Sequence, residues 1–260
     1  MGIEVFKKHL RERRAVKIIA GINNRNLDNV AKVCRAAQKG HASAVDIAAD
    51  IDVYKTARKN TKLPIFVSSI YPCELLEAAK WGADAIEIGN FDALYKEGRS
   101  FSSNEVYDIV LETMALLNNY EIFTCVTIPG NIDISEQIEL AKKLEILGVD
   151  LIQTEGLKKD ITSTNPSLHL VNYAQASIAN TLELMKNTSI PIMTSSGITA
   201  ATAPLAFASG ADAVGVGSAV NKLSSDIEMT AAVMSIVGSI SHRNSINHEI
   251  LTTERELSLR

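Results

Sequence analysis

Apolar positions along this chain alternate between two rhythms. Short runs rich in Val and Ile give way to longer stretches in which apolar residues return every three or four positions, the spacings of strand and helix respectively. Residues 3–14, with Val5, Phe6 and Leu10 set among Lys and Arg, predict a short amphipathic helix. Strands are predicted at Val16–Gly21, Ala44–Ala48, Leu63–Ser69, Ala85–Gly89, Ile122–Thr127 and Leu151–Thr154, and two more lie within Ile190–Asn221 on either side of an Ala-rich helix. Between them, Asn26 or Asp28 caps a helix to Lys39, Asp50 precedes one to Asn60, and Pro72 opens one that Gly82 closes. Further helices are expected at Ile134–Leu147, at Asn172–Lys186 and from the Ser225/Glu228 capping box to Ile240. Two connections are long, Asn90–Asn104 and Glu155–Ser167. The second, polar and placed at a strand end, is expected to cover a ligand.

An internal repeat turns this list of elements into an architecture. Gly82–Gly89, Gly148–Glu155 and Gly210–Gly217 align without gaps, and Gly40–Ala48 aligns after one insertion. Each is a glycine that stops a helix and feeds a strand, which makes these strands two, four, six and eight of a βα array. Alternating units imply a parallel sheet, and eight of them imply closure. The expectation is α/β: a single (β/α)8 TIM barrel over residues 16–240, a short N-terminal helix in residues 1–15 across one end, and a polar tail at 241–260.

The segment Ile190–Asn221 also carries candidate chemistry. Two glycine turns, Ser196-Gly197 and Gly217-Ser218, follow consecutive strands. The last two loops of such a barrel commonly hold a phosphate, because glycine lets backbone N–H groups approach and a following helix points its positive end at the anion. Ser196, Gly197, Gly217 and Ser218 are therefore the candidate phosphate-binding residues. A side chain at Gly217 is expected to occupy the phosphate's space and to disfavour a positive φ there.

The repeat aligns side chains as well as backbone. Asp46, Glu87, Gln153 and Gly215 occupy equivalent positions, and polar groups there must point into the barrel, since the outer face packs on helices. Lys17 on the first strand faces the same way, so Lys17, Asp46 and Glu87 form a candidate interior cluster. One reading is acid/base work or a tuned lysine, the other a buried ion-pair layer. Glu155 lies at a strand end, where barrel enzymes place their chemistry, and is the strongest acid/base candidate by position. Asn23, Asp50, Asn90 and Gln153 are candidates for substrate contact, with Asp50 equally placed to cap a helix. Oxygen ligands of this kind suit Mg²⁺, but no metal-ligand spacing occurs and no His ends a strand, so no metal site is predicted.

Composition narrows the partners. A net charge of −4 leaves no electrostatic footprint for nucleic acid, and no apolar run approaches the roughly 18 residues that span a bilayer. Met1 to Val16 is too charged for a signal peptide and too acidic for a transit peptide. Cys34, Cys73 and Cys125 are odd in number and form no CxxC pair, which fits a reducing compartment.

The stretches Ala20–Asn24, Val45–Asp50, Ile86–Asp92 with Gly98-Arg99, Gln153–Gly156, Thr202–Pro204 and Val214–Asn221 closely resemble a family of algal plastids and cyanobacteria. It is known as hypothetical chloroplast open reading frame twenty-three, and the resemblance covers residues 15–240. It implies an aldolase-type or ribulose-phosphate-binding barrel that is plastid-encoded and works in the chloroplast stroma. Three readings stay open at this point. One is an isomerase or lyase acting on a phosphorylated metabolite with Glu155, Glu87, Asp46 and Lys17. The second is a non-catalytic regulator or assembly protein that binds a phosphate ligand. The third is a flavin-binding oxidoreductase, because flavin phosphate uses a similar cradle. No cofactor is assigned. The expected partner is a phosphorylated small molecule, with no nucleic acid and no membrane, and homo-oligomer formation is left open.

Overall fold

The computed structural model describes residues 2–95, 97–156 and 166–240. Eight parallel strands, β1 (Ala15–Ile19), β2 (Ala44–Ala48), β3 (Ile65–Ser69), β4 (Ala85–Ile88), β5 (Phe123–Ile128), β6 (Leu151–Thr154), β7 (Ile192–Thr194) and β8 (Ala213–Val216), close into a barrel in chain order. Closure comes from β8 pairing with β1, with Lys17 opposite Gly215. The helices are α1 (Glu4–Arg11), α2 (Leu27–Lys39), α3 (Ile51–Asn60), α4 (Pro72–Trp81), α5 (Asp92–Tyr95) and α6 (Ser103–Leu116). They continue with α7 (Ile134–Ile146), α8 (Pro166–Leu184), α9 (Ala203–Ala208), α10 (Ser218–Asn221) and α11 over residues 226–240.

Strand alternation separates two kinds of core. The outward residues Val16, Ile18, Val45, Ile47, Val67, Val214 and Val216 pack against α2, α3 and α11, while Ile86, Ile88, Val126 and Ile152 pack against α4, α6 and α7. The inward residues at the N-terminal end form a separate apolar layer that includes Phe66, Phe123, Leu151 and Met193. Phe6 and Leu10 of α1 join that layer from below. The Phe6 ring meets Phe66 edge-on at 5.0 Å and Phe123 at 5.9 Å, so the amphipathic first helix does close one end of the barrel.

The repeat has a mechanical purpose that its spacing did not disclose. Asp84, Asp150 and Asp212 each accept the backbone N–H of the first or second residue of the preceding strand, from Ile65, Thr124 and Ile192 at 2.8–2.9 Å. Each also donates its own N–H back to the carbonyl of the same residue. In the Gly40–Ala48 copy the same work falls to Ser43, whose hydroxyl accepts from Val16 N–H at 3.0 Å and whose N–H returns to Val16 O. The repeat thus clamps β1–β2, β3–β4, β5–β6 and β7–β8 at their N-terminal ends. Where the inserted residue shifts the glycine, His41 takes the left-handed conformation (φ 61°) that Gly82, Gly148 and Gly210 take in the other copies.

Element boundaries differ most from the sequence expectation in three places. The first helix ends at Arg11 rather than residue 14. The Asn90–Asn104 connection contains α5 and gives way at Ser103 to α6, whose capping box joins Ser102 and Glu105. Phe91 anchors this segment by packing its ring on Phe101 at 4.5 Å, a tertiary contact that periodicity does not reveal. Helix α8 begins at Pro166, six residues before the expected Asn172, at a first-turn position where proline's missing N–H has no partner to lose. The expected ligand-covering loop falls mainly on residues 157–165, and the expected tail on 241–260; both lie outside the described residues.

Candidate functional site

The middle of the barrel interior is a continuous polar network. Lys17 and Glu87 form a fully buried ion pair, and the Lys17 ammonium lies 5.0 Å from the Phe66 ring centre. Glu87 Oε1 also accepts from Thr127 Oγ1 at 3.1 Å and from Gln153 Nε2 at 2.8 Å. Asp46 accepts from Ser68 Oγ and, at 3.0 Å, from Asn90 Nδ2. Asn90 joins the two halves, because its Oδ1 accepts from Gln153 Nε2 at 2.8 Å. Asn90 holds this position with φ at +67°, a left-handed conformation that asparagine tolerates better than most residues.

Electrostatics here follow from two carboxylates facing one cation. Burial disfavours the Lys17 ammonium, but Glu87 and Asp46 outweigh it and hold the Lys17 pKa above its ordinary value. Burial pushes the Asp46 carboxyl up to about 7, against the pull of Lys17 and with the push of Glu87. Because its folded pKa exceeds its unfolded one, Asp46 contributes stability at acid pH that is lost as pH rises from about 4 toward 7. The stability of the parent relative to Asp46→Asn should therefore fall across that interval by as much as ~1.4 kcal/mol per pH unit. Denaturant unfolding of both proteins at pH 5, 6 and 7 measures it, and a pH-independent difference would show that Asp46 is already ionised at pH 5.

Above this network, at the C-terminal mouth, lies a cavity of about 620 Å³. Both glycine turns line it: Ser196 and Gly197 after β7, Gly217 and Ser218 after β8. Ile19, Ile22 and Ile198 supply apolar wall, Asn90 and Asp92 face it from the β4 side, and Lys222 stands at the end of α10. Ser196 and Gly197 are both left-handed, at φ 67° and 73°. Gly217 has φ −103°, so the positive φ expected there does not occur. A Cβ on Gly217 would come no nearer than 3.8 Å to Asn221 Nδ2, so packing does not demand glycine at this site. Among the described residues, the N–H groups of Ser196, Gly197, Ile198 and Gly217 donate to no partner, nor do the hydroxyls of Ser196 and Ser218.

The remaining sequence candidates are spread around this centre. Gln153 lies in the buried network, and its Oε1 finds no hydrogen-bond partner among the described residues. Glu155 is buried beneath α5, where it accepts from Asp92 N–H at 2.9 Å and Tyr95 Oη at 3.1 Å. Burial, and then the Asp92 charge, push its carboxyl well above the usual carboxylate range. Glu155 thus anchors the segment that walls the cavity and does not itself line it. Asn23 is exposed and donates to Glu97 at 3.1 Å, and Asp50 caps α3 through the N–H groups of Asp52 and Val53 while pairing with Arg25; neither lines the cavity. Sequence reasoning missed Lys222, Asp92, Ser195, Thr199 and Asn221. Of these, Lys222 left a signal: it follows Ser218 by four residues, the spacing that brings two side chains to one helix face.

A model of the family described as "Protein of unknown function (DUF561)" matches residues 3–246. The chain belongs to this family. It is 35% identical over 243 residues to "Uncharacterized protein ycf23" of Pyropia yezoensis, spanning 92% of this chain and 88% of that protein. The protein of the same name from Cyanophora paradoxa is 39% identical over 221 residues, spanning 85% and 90%. The family resemblance read from the rim motifs is thereby shown. Among solved structures, 3-hexulose-6-phosphate synthase superposes with a TM-score of 0.63 at 12% identity, covering 87% of this chain and 99% of that one. The (S)-3-O-geranylgeranylglyceryl phosphate synthase from Thermoplasma acidophilum, in complex with its substrate sn-glycerol-1-phosphate, gives 0.59 at 17%, covering 91% and 98%. At these identities the likeness shows that the DUF561 chain shares the fold of aldolase-type TIM barrels. No helix among the described residues is long and apolar enough to cross a membrane.

Proposed function

We propose that this barrel binds a phosphorylated small molecule at its C-terminal mouth, with the phosphate on the two glycine turns. One observation carries the reading: unpartnered N–H groups from both turns, those of Ser196, Gly197, Ile198 and Gly217, wall a single cavity. Backbone N–H groups without acceptors in a partly closed site are suited to an anion. The hydroxyls of Ser196 and Ser218 add donors, and Lys222 adds a cation that makes no ion pair among the described residues. Neighbours whose names carry phosphorylated compounds support the same ligand class. The algal relatives suggest a plastid location, and we place the protein in the stroma.

Calorimetric titration with inorganic phosphate and ribose 5-phosphate tests this directly. The parent should bind, and Lys222→Ala should bind at least about tenfold more weakly, the value of one charge-assisted hydrogen bond. A parent that binds no phosphate compound would sink the proposal.

A second reading, proton transfer of the isomerase or lyase type, is favoured by Asp46. A carboxyl with a pKa of about 7 is half-charged at neutral pH, the condition for an efficient acid or base. Asn90 lines the cavity and lies between it and Asp46, so this chemistry requires Asn90 to move aside. On this reading solvent deuterium enters a bound sugar phosphate; its failure to do so would leave the protein a binder.

A further inference from the structure

Gln153 is held in one orientation by the charged network. Its Nε2 offers two protons to three acceptors, Glu87 Oε1 at 2.8 Å, Asn90 Oδ1 at 2.8 Å and Thr127 Oγ1 at 3.0 Å. Reversing the amide would set its oxygen against the Glu87 carboxylate, so the opposite face must present Oε1, a pure acceptor. That oxygen is buried and has no partner among the described residues. It lies 3.0 Å from the point where a Cβ on Gly215 would stand, and Ser195 Oγ lies 3.0 Å from the same point. The two oxygens therefore flank a stretch of bare backbone on β8. The third neighbour of that point, Ile19 Cδ1 at 3.2 Å, lines the mouth cavity, and so does Ser195; Gln153 and Gly215 do not, so the Ser195 side chain must turn for a ligand to reach Oε1. Ser195 Oγ has only a long contact of its own, to Gly215 O at 3.4 Å, so its proton is free to serve another acceptor.

An acceptor and a donor side by side fit a group that both donates and accepts. A hydroxyl does this, whereas an ammonium or amide N–H satisfies only Gln153, and a carboxylate or second phosphate meets the Gln153 oxygen with repulsion. Resting on the phosphate reading above, we infer that the ligand is a polyol or sugar phosphate, one of whose free hydroxyls donates to Gln153 Oε1 and accepts from Ser195 Oγ beside Gly215. Gln153 is then a specificity-determining residue. The Lys17–Glu87 pair below it acts as a positioning device that fixes which face of the amide meets the ligand.

The test is a matched ligand series measured by calorimetry: inorganic phosphate; glycerol, erythritol and ribitol phosphates; and the n-propyl, n-butyl and n-pentyl phosphates of equal chain length. At one chain length or more the polyol should bind the parent about tenfold tighter than its alkyl counterpart, the worth of a buried acceptor being satisfied or left bare. Gln153→Met should cut that preference to within about twofold. Because this change also strips donors from Glu87, Gly215→Ala provides the second variant. Its methyl would press on both oxygens at 3.0 Å and narrow the hydroxyl's place, while Gln153 keeps its Nε2 donors to Glu87. It should lose the preference as well, with folding verified by thermal melting. A parent that binds inorganic phosphate and all the esters with no polyol preference overturns this inference and leaves the phosphate reading standing. So does a preference that survives in both variants. A parent that binds nothing in the series refutes the phosphate reading, and this inference with it.

Discussion

Replacing Lys17 with Met should destabilise the barrel by about 3–5 kcal/mol, because it strands the Glu87 carboxylate at zero exposure. That is a large share of the roughly 5–15 kcal/mol that holds a typical domain together, so the variant sits near the edge of folding at 25 °C. Methionine keeps most of the volume and the contact with Phe66, which leaves charge rather than packing as the main loss. The double variant Lys17→Met/Glu87→Gln should recover most of the stability. The new amide oxygen can still accept from Gln153 Nε2 and Thr127 Oγ1, as the Glu87 carboxylate does, and of the two carboxylates that faced Lys17 only Asp46, already raised to about 7 by burial, is left. Urea unfolding of the three proteins checks all of this. A single variant within about 1 kcal/mol of the parent at pH 7 would show that Lys17 and Glu87 do not face each other as a charged pair.

Gly217→Val should leave the barrel folded and weaken phosphate-ester binding ten- to a hundredfold, the equivalent of losing one charge-assisted hydrogen bond of about 1.5–3 kcal/mol. The structure separates the two effects. With its nearest Cβ contacts at 3.8 and 4.0 Å, residue 217 accepts a Cβ without a clash. The branched methyls then extend into the cavity that Gly217 lines. Calorimetry against ribose 5-phosphate, beside a melting curve, gives both readings. Unchanged affinity in a folded variant would move the phosphate away from this turn. A collapse of folding would mean that the glycine is there for the backbone.

Much of this architecture was legible because it is periodic. Four glycine-led copies marked the even strands, and the polar residues at equivalent positions in them, Asp46, Glu87 and Gln153, could face only inward. Placement of the two glycine turns at one mouth followed from the same count. Illegible features arise from contacts between segments far apart in the chain. Glu155 looked like a rim acid by strand position, yet its carboxylate turns to the N–H of Asp92, 63 residues away, because an isolated helix start needs an acceptor. Asn90 appeared as one polar loop residue, whereas its left-handed backbone lets its amide bridge Asp46 and Gln153. The orientation of Gln153 depends on Glu87, Asn90 and Thr127 together, and no spacing along one strand encodes that. Asp50 could be read either way from sequence, and the hydrogen bonds to Asp52 and Val53 N–H give the cap.

Backbone amide shifts report most directly on the central claim, that the two glycine turns form one phosphate site. In a deuterated, ¹⁵N-labelled sample titrated with ribose 5-phosphate, the amide resonances of Ser196, Gly197, Ile198, Gly217 and Ser218 should move together along one saturating curve. Each should shift downfield, as hydrogen bonding to a charged acceptor requires. The amides of Thr188, Ser189 and Gly210, at the opposite end of the barrel around a separate cavity, should stay where they are. If the ligand saturates while the five turn amides remain still, the phosphate lies elsewhere and the account is contradicted.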